Sequence, residues 1–377
     1  MEEALMSTRK RLAVLLLTLC MLLELAPSAL AATAPSTYST KPKSSVWNTY
    51  KASLHYYYQQ LSKDEKRAFS AKYDALALGK PELWSIYNFG LTYSQRMRVE
   101  YAVMYDCPEL MFADYQYSSF TSSEEIMKQY QLIKEYLPQT IKALKKIQKR
   151  GDYAGGAFNH QYAFDRYVVQ HCKYLLDDKT YNGTRVPYKG RRAAYSVFVN
   201  NVAVCEGYAR GAQLALRYFG IPCLYVYGDA NGSHAWNLVR LGGEWYHYDA
   251  TWNDADNSKL ITDYLPYFNL PDRIMNNSHT LNREASTKYS FTLPKCTSNK
   301  YEYYKKQGQY IGSDWKKKIP SLLSSAKRHG NNTLGIRMTN ETTYKAALNA
   351  LKKNQLKVPF ACNYWYNNDA YFFFFSW

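Results

Sequence analysis

The sequence predicts an α+β protein with a helical first part, a mixed helix-and-sheet centre and an α/β region at its C-terminal end. Three observations predict it. Helical spacing dominates from Val46 to Leu175. Between Cys205 and Asp249 a helix with one apolar face gives way to three short strand patterns. Beyond Lys295, helix and strand patterns alternate again. A length of 377 residues suits two or three domain-sized units, and 46% hydrophobic with 21% charged residues is a globular rather than a disordered composition.

Residues 1–31 read as a secretory signal. Arg9, Lys10 and Arg11 precede the apolar run Leu12–Leu23, and Ala29-Leu30-Ala31 supplies a small-residue cleavage site. The run is short for a bilayer span and meets Glu24, so no stable transmembrane segment is expected and the mature chain should begin near Ala32. Residues 32–45, rich in Ser, Thr, Pro and Lys, read as a linker. Residues 46–150 form a helical N-terminal region, interrupted where Asp106-Cys107-Pro108 stops one helix, since proline disfavours helix in the residue before it. Leu110–Tyr117 reads as a strand. Ser122 or Ser123 can cap a helix running to Arg150, with Glu124 and Glu125 in its first turn.

The central region spans 151–290. A helix is expected from Phe158 to Leu175, a polar loop over 177–190, a short helix over Tyr195–Val199 and a turn over 200–204. Cys205, Tyr208, Ala209, Ala212, Leu216 and Phe219 then mark the buried face of a helix, which Gly220 and Pro222 end. Strands are expected at Cys223–Gly228, Ser233–Leu241 and Glu244–Asp249, the last two joined by the two-residue turn Gly242-Gly243. Residues 264–281 read as irregular. The remaining region, 291–377, is basic and aromatic-rich, with a helix over Asp314–Arg328, a strand over Thr333–Met338, a helix over Thr342–Leu351 and a final strand pair split by Asn367-Asn368-Asp369.

The formal net charge is +17, and removal of residues 1–31 leaves it unchanged, because three bases and three acids go together. The excess is uneven. Lys295–Arg328 holds nine Lys/Arg against two acids, whereas Tyr195–Leu260 holds four against six. For an exported chain this favours an anionic surface polymer as partner of the C-terminal region over nucleic acid, with a merely solvated basic face as the alternative. Six cysteines follow residue 31, scattered and without a CxxC, so neither a zinc site nor a full disulfide framework is expected, and no cofactor is called for. The 38 tyrosines fit a core and rim built with Tyr in place of Phe, or a sugar- or peptide-binding surface.

Cys205, His234 and Asp249 carry the chemistry. A thiol attacks as thiolate, and its usual pKa of ~8.5 leaves it mostly protonated at neutral pH. A helix N-terminus favours the anion, and an adjacent imidazole can take the proton. His234 enters its strand just after the turn Asp229–Gly232. With Gly242-Gly243 at the hairpin tip, cross-strand partners sum to about 485; a shift to 483, or a bulge, would set Asp249 directly beside His234, where a carboxylate orients and stabilises an imidazolium. His247 shares the face of Asp249 and is a competing candidate, while His171 and Cys172 are helix neighbours that point apart.

The stretch Arg192–Asp254, with AAYSVFVNNVAVCEGYARGAQLALRYFGIPC and then SHAWNLVRLGGEWYHYDATWND, resembles the transglutaminase-like branch of the papain-like thiol enzymes, in particular its secreted bacterial members. AVMYDCPELMF and YFNLPDRIMNNSHT extend the likeness, with Asn276, Asn277 and Ser278 where relatives carry acids. The resemblance implies a papain-like core, a cysteine-bearing helix on a small antiparallel sheet, with Cys205 as nucleophile, His234 as base and Asp249 as orienting acid. It implies acyl transfer on protein or peptide amides, as peptidase, amidase or cross-linker. Trp236 and Trp252 are expected to wall the substrate cleft or to pack behind it; Glu206 and Tyr208 are cleft candidates that more readily fix the helix start. The competing expectation is a non-catalytic cell-surface or cell-wall binding protein that keeps this fold.

Overall fold

The computed structural model describes residues 38–84, 89–110, 122–150, 156–176, 180, 186–254 and 264–377. The signal-like segment and most of the expected strand Leu110–Tyr117 lie outside the described residues. No described helix is long and apolar enough to cross a membrane.

The N-terminal part is built from α1 (Lys63–Leu78), α2 (Tyr93–Asp106) and α3 (Ser123–Gln148). Local chemistry sets their ends. Ser62 and Glu65 close a capping box on α1, Gly79 ends it in the left-handed conformation, and Ser122 with Glu125 caps α3 as its sequence requires. Val46–Leu78 is not one helix; two short 3-10 turns and the single turn Tyr56–Gln59 precede α1. Residues 38–45 are not a free linker. The Tyr38 hydroxyl and the Lys43 and Ser44 amides all donate to the buried Asp74 carboxylate, which pins the segment to α1.

In the centre, α4 (Ala157–His171) ends four residues earlier than its spacing suggests, because Lys173–Tyr174 leaves as strand β1 to pair in parallel with β2 (Val202–Ala203). The turn before β2, Ser196–Asn200, is a π-helix, and Asn201 closes it with φ 57°. Then comes α5 (Cys205–Tyr218). It packs on a five-stranded antiparallel sheet of order β6-β5-β4-β3-β7, with β3 Cys223–Asp229, β4 Ser233–Leu241, β5 Glu244–Tyr248, β6 Phe268–Leu270 and β7 Thr280–Leu281. The three central strands match the sequence expectation; β6 and β7 arise in the stretch read as irregular, because two- and three-residue edge strands leave no periodicity to detect. Asn237, fully buried on β4, donates to the carbonyl of Ala209 on α5 and to that of Leu224 on β3, which locks helix and sheet together. The α+β architecture with a helix-on-sheet core is as expected.

The C-terminal part carries a four-stranded sheet of order β10-β11-β9-β8, with β8 Tyr310–Ile311, β9 Thr333–Met338, β10 Asn363–Asn367 and β11 Phe372–Ser376. Its helices are α6 (Trp315–Arg328) and α7 (Glu341–Lys352). Successive side chains of β11 serve two cores, as a strand's period of two dictates. Phe372 and Phe374 join the apolar cluster that runs through the N-terminal helices and the centre, while Phe373 and Phe375 join a second one with Ile319, Leu323, Ile336 and Tyr344.

Candidate functional site

Cys205 is the first residue of α5, half-buried, and its helix start lacks a side-chain cap: Val204 holds the N-cap position and has no polar side chain to offer. The first amide donors of α5 are therefore open to an incoming anion. Gly207 permits the close approach on which this depends, since a Cβ there would lie 2.2 Å from the Arg191 carbonyl oxygen. That carbonyl accepts from the Val204 amide and so positions the residue before the thiol.

His234 sits in the second position of β4, opposite Gly228. Its Nε2 lies 2.8 Å from Asp249 Oδ2, and the Cys205 thiol is close enough to the ring to favour its protonated form. The pair forms differently from the register expectation. The β4–β5 ladder keeps the sum 485 throughout, as in Asn237 with Tyr248, and the shift to 483 does not occur. Asp249 instead lies just past the end of β5 as N-cap of the short helix Ala250–Asn253, where its Oδ1 accepts from the Thr251 and Trp252 amides. Freed from the ladder, the carboxylate turns to the diagonal neighbour, His234.

Charge follows from this geometry. Burial favours a neutral His234, but the Asp249 carboxylate outweighs burial, the thiol adds to it, and the imidazole is raised to about 10. Burial would likewise raise Asp249, and His234 and His279 together hold it well below the usual carboxylate range. His234 is thus an imidazolium across neutral pH, placed between a carboxylate and a thiol.

Two residues that sequence reasoning missed complete the site. His279, fully buried, directs Nε2 to the same Asp249 Oδ2 at 3.1 Å, and its Nδ1 meets the Ser278 hydroxyl at 2.8 Å. Tyr174, from β1, comes beside Cys205; burial, with the nearby thiol adding, pushes its hydroxyl up to about 12. The segment containing His279 was noted in the sequence, but nothing local ties that ring to Asp249. Tyr174 arrives through a two-residue strand read as the end of a helix.

The other cleft candidates fall elsewhere. Trp236 is 1% exposed and packs behind His234, donating from Nε1 to His247 Nδ1, so it does not wall a cleft. His247 passes this support on to Asp272 Oδ1 at 2.8 Å and faces away from the thiol, a scaffold role rather than a rival base. Tyr208 is fully buried, with its hydroxyl on Asp254 Oδ2. Glu206 is half-buried, paired with Arg192 and accepting from the Tyr225 hydroxyl, which fixes the helix start. Trp252, also half-buried, remains beside the imidazole with ring centres 5.8 Å apart. His234, Asp249 and His279 bring three ligand atoms within 4.8 Å, a set that could hold a metal ion, although both imidazoles already engage one carboxylate oxygen. No described cysteine is in a disulfide; Cys107, Cys172, Cys223 and Cys296 are buried, and burial pushes each of these thiols up.

Residues 156–250 match the family model of the transglutaminase-like superfamily, a span that includes Cys205, His234 and Asp249 and ends before His279. A search of curated proteins gives no match. Among solved structures, the chain is similar to a TGase at 22% identity and TM-score 0.27, over 33% of this chain and 34% of that one. It is also similar to a candidate cysteine protease from Cytophaga hutchinsonii at 18% identity and TM-score 0.26, over 40% of this chain and 48% of that one. The chain thus spans a third to a half of these neighbours.

Proposed function

We propose, from a chain whose residues 156–250 form a transglutaminase-like core, that the protein is a cysteine-dependent acyl-transfer enzyme acting on protein or peptide amides. The observation that carries the reading is the Cys205 thiol at an uncapped helix start, beside the His234 imidazole that Asp249 holds at 2.8 Å. The thiolate sulfur attacks a carboxamide or peptide carbonyl carbon. Charge develops on the carbonyl oxygen, which the uncapped amides at the start of α5 and the nearby Tyr174 hydroxyl can stabilise. As the C–N bond breaks, His234 gives its proton to the departing amine and a thioester remains. His234 then takes a proton from the acceptor, whose attack releases the thiolate. An amine acceptor gives a cross-link; water gives deamidation or peptide cleavage. Asp249 and His279 act as positioning residues, holding the imidazole in place through one carboxylate. The substrates are proteins or peptides at the cell surface, reached after export and cleavage near Ala31, with the basic C-terminal region meeting an anionic wall polymer.

Iodoacetamide alkylation followed by peptide mapping tests the core of this reading. Cys205 should be modified selectively at neutral pH, and the selectivity should vanish in His234→Ala. Equal, slow modification of Cys205 and the half-buried Cys362 would overturn it. A thioester trap against surface proteins, with and without a primary amine, then separates cross-linking from cleavage. A second reading, a non-catalytic surface binder, draws on Trp365 and Tyr366, which are 53% and 43% exposed on edge strand β10. It predicts that Trp365→Ala with Tyr366→Ala abolishes cell-wall pull-down while the alkylation of Cys205 is unchanged.

A further inference from the structure

A second concave site lies apart from the thiol. A cleft of about 560 Å³ opens between α3, the end of α4 and the π-helical turn. Lys142, Lys146 and Arg150 line one wall, His171 the end and Tyr167 with Phe198 the floor. Lys142 and Lys146 stand about one turn apart on α3, and Arg150 follows just past its end. Among the described residues, no carboxylate lines the cleft. The floor is a ring stack, with Tyr167 centred 4.5 Å from His171 and 6.1 Å from Phe198 at low interplanar angles. The volume is that of a small-molecule site. A cationic wall above an aromatic floor is complementary to a molecule with an anionic end and a flat apolar body, and both Lys142 and Lys146 are exposed for contact.

The position of the cleft matters as much as its chemistry. His171 and Asn201, both lining it, stand immediately before the two strands that deliver the site: Cys172 alone separates His171 from β1, and β2 begins after Asn201. The Asn201 carbonyl accepts from the Lys173 amide and ties the two roots together. Tyr174 ends β1, and Cys205 follows β2 by two residues. We propose that this cleft binds a small organic phosphate and that its occupation alters the reactivity of Cys205 through β1 and β2. The first half of this statement is independent of the enzyme reading; the second rests on it.

Calorimetric titration of the full-length Cys205→Ala protein with ADP, and separately with adenosine, tests the site without any need for activity. ADP should bind, and adenosine should bind at least about tenfold more weakly, the scale of one or two charge-assisted hydrogen bonds. Lys146→Glu should weaken ADP at least about tenfold, while Lys145→Glu, an equal charge change on the same helix but outside the cleft, should stay within about twofold. Absence of ADP binding, or equal weakening by Lys145→Glu, overturns the site. In the wild-type protein, saturating ADP should change the Cys205 alkylation rate about fivefold or more; an unchanged rate with ADP bound overturns the coupling. Loss of selective Cys205 alkylation without ADP would count against the enzyme reading alone.

Discussion

The N-terminal and C-terminal parts both pack on the central core, but they bind it through different elements. On the N-terminal side, α5 reaches α2 through a polar ladder. Arg210, Gln213 and Arg217, spaced along one face, donate to the carbonyls of Met104, Tyr105 and Asp106, the last three residues of α2. Arg217 also pairs with the Asp106 carboxylate at 2.7 Å, both fully buried, and the same carboxylate accepts from the Tyr56 and Tyr58 amides. On the C-terminal side, Arg337 of β9 crosses to Glu302 and the carbonyls of Ala370 and Pro266. Both seams hold a buried Arg–carboxylate pair, yet their partners differ. Glu302 is raised by burial despite Arg337 and can take up a proton when left alone. Arg217 cannot give one up. Losing the acid of the N-terminal pair therefore costs more than losing the arginine of the C-terminal one, and it is the N-terminal seam that holds the helix bearing Cys205.

The sharpest test is Asp106→Ala, which strands a permanent cation in the interior. Urea unfolding should show a loss of about 3–5 kcal/mol, with selective Cys205 alkylation lost in the same protein. Arg337→Met, at the opposite seam, should cost less, about 1–3 kcal/mol because Glu302 can neutralise, and should leave the alkylation rate at Cys205 unchanged. If Arg337→Met silences Cys205 as well, the two seams are equivalent and the contrast fails.

Between the seams, His234 gives a pH-dependent measure of the site itself. Its folded pKa of about 10 lies above the ordinary 6.5. The stabilisation from its proton is thus complete below about pH 6.5 and is lost as pH rises towards 10. The stability advantage of wild type over His234→Gln should shrink by on the order of 3 kcal/mol across that window. A constant difference in paired denaturant titrations would exclude an Asp249-held imidazolium. Gly207→Ala asks whether the helix start tolerates displacement: the new Cβ meets a backbone oxygen, and a loss of about 1–3 kcal/mol with slowed alkylation is expected. The smallest effect belongs to His279→Phe, which removes one of two imidazoles from Asp249. Alkylation should slow by about tenfold or less, and its pH profile should move while the unfolding midpoint barely does; an unmoved profile would make His279 structural only.

The sequence made the local parts of this site legible and left the assembled ones hidden. The helix opened by Cys205, the hairpin about Gly242-Gly243 and the sum of 485 all follow from short-range periodicity and turn chemistry. The shift to 483 failed because it asked the ladder to deliver Asp249, when a helix cap beyond the ladder does so. Tyr174 and His279 were invisible for a related reason: one lies in and the other just before a strand of two residues, which carries no pattern, and their places are set by partners far along the chain. Trp236 and Tyr208 stayed open between cleft and packing because aromatic residues near a nucleophile read alike whether they line a surface or fill the space behind it, and both are buried.

The ladder from α5 to α2 also acts as a mechanical detent. Three donors on α5 address three consecutive carbonyls, so a slide of α5 by one helical turn, about 5.4 Å, would break all of them at once. Cys205 is thereby fixed along its helix axis like an anvil. Any motion that opens or closes this site has to come from the pieces leaning on the sulfur from outside α5, the Tyr174 strand on one side and the His234 hairpin on the other.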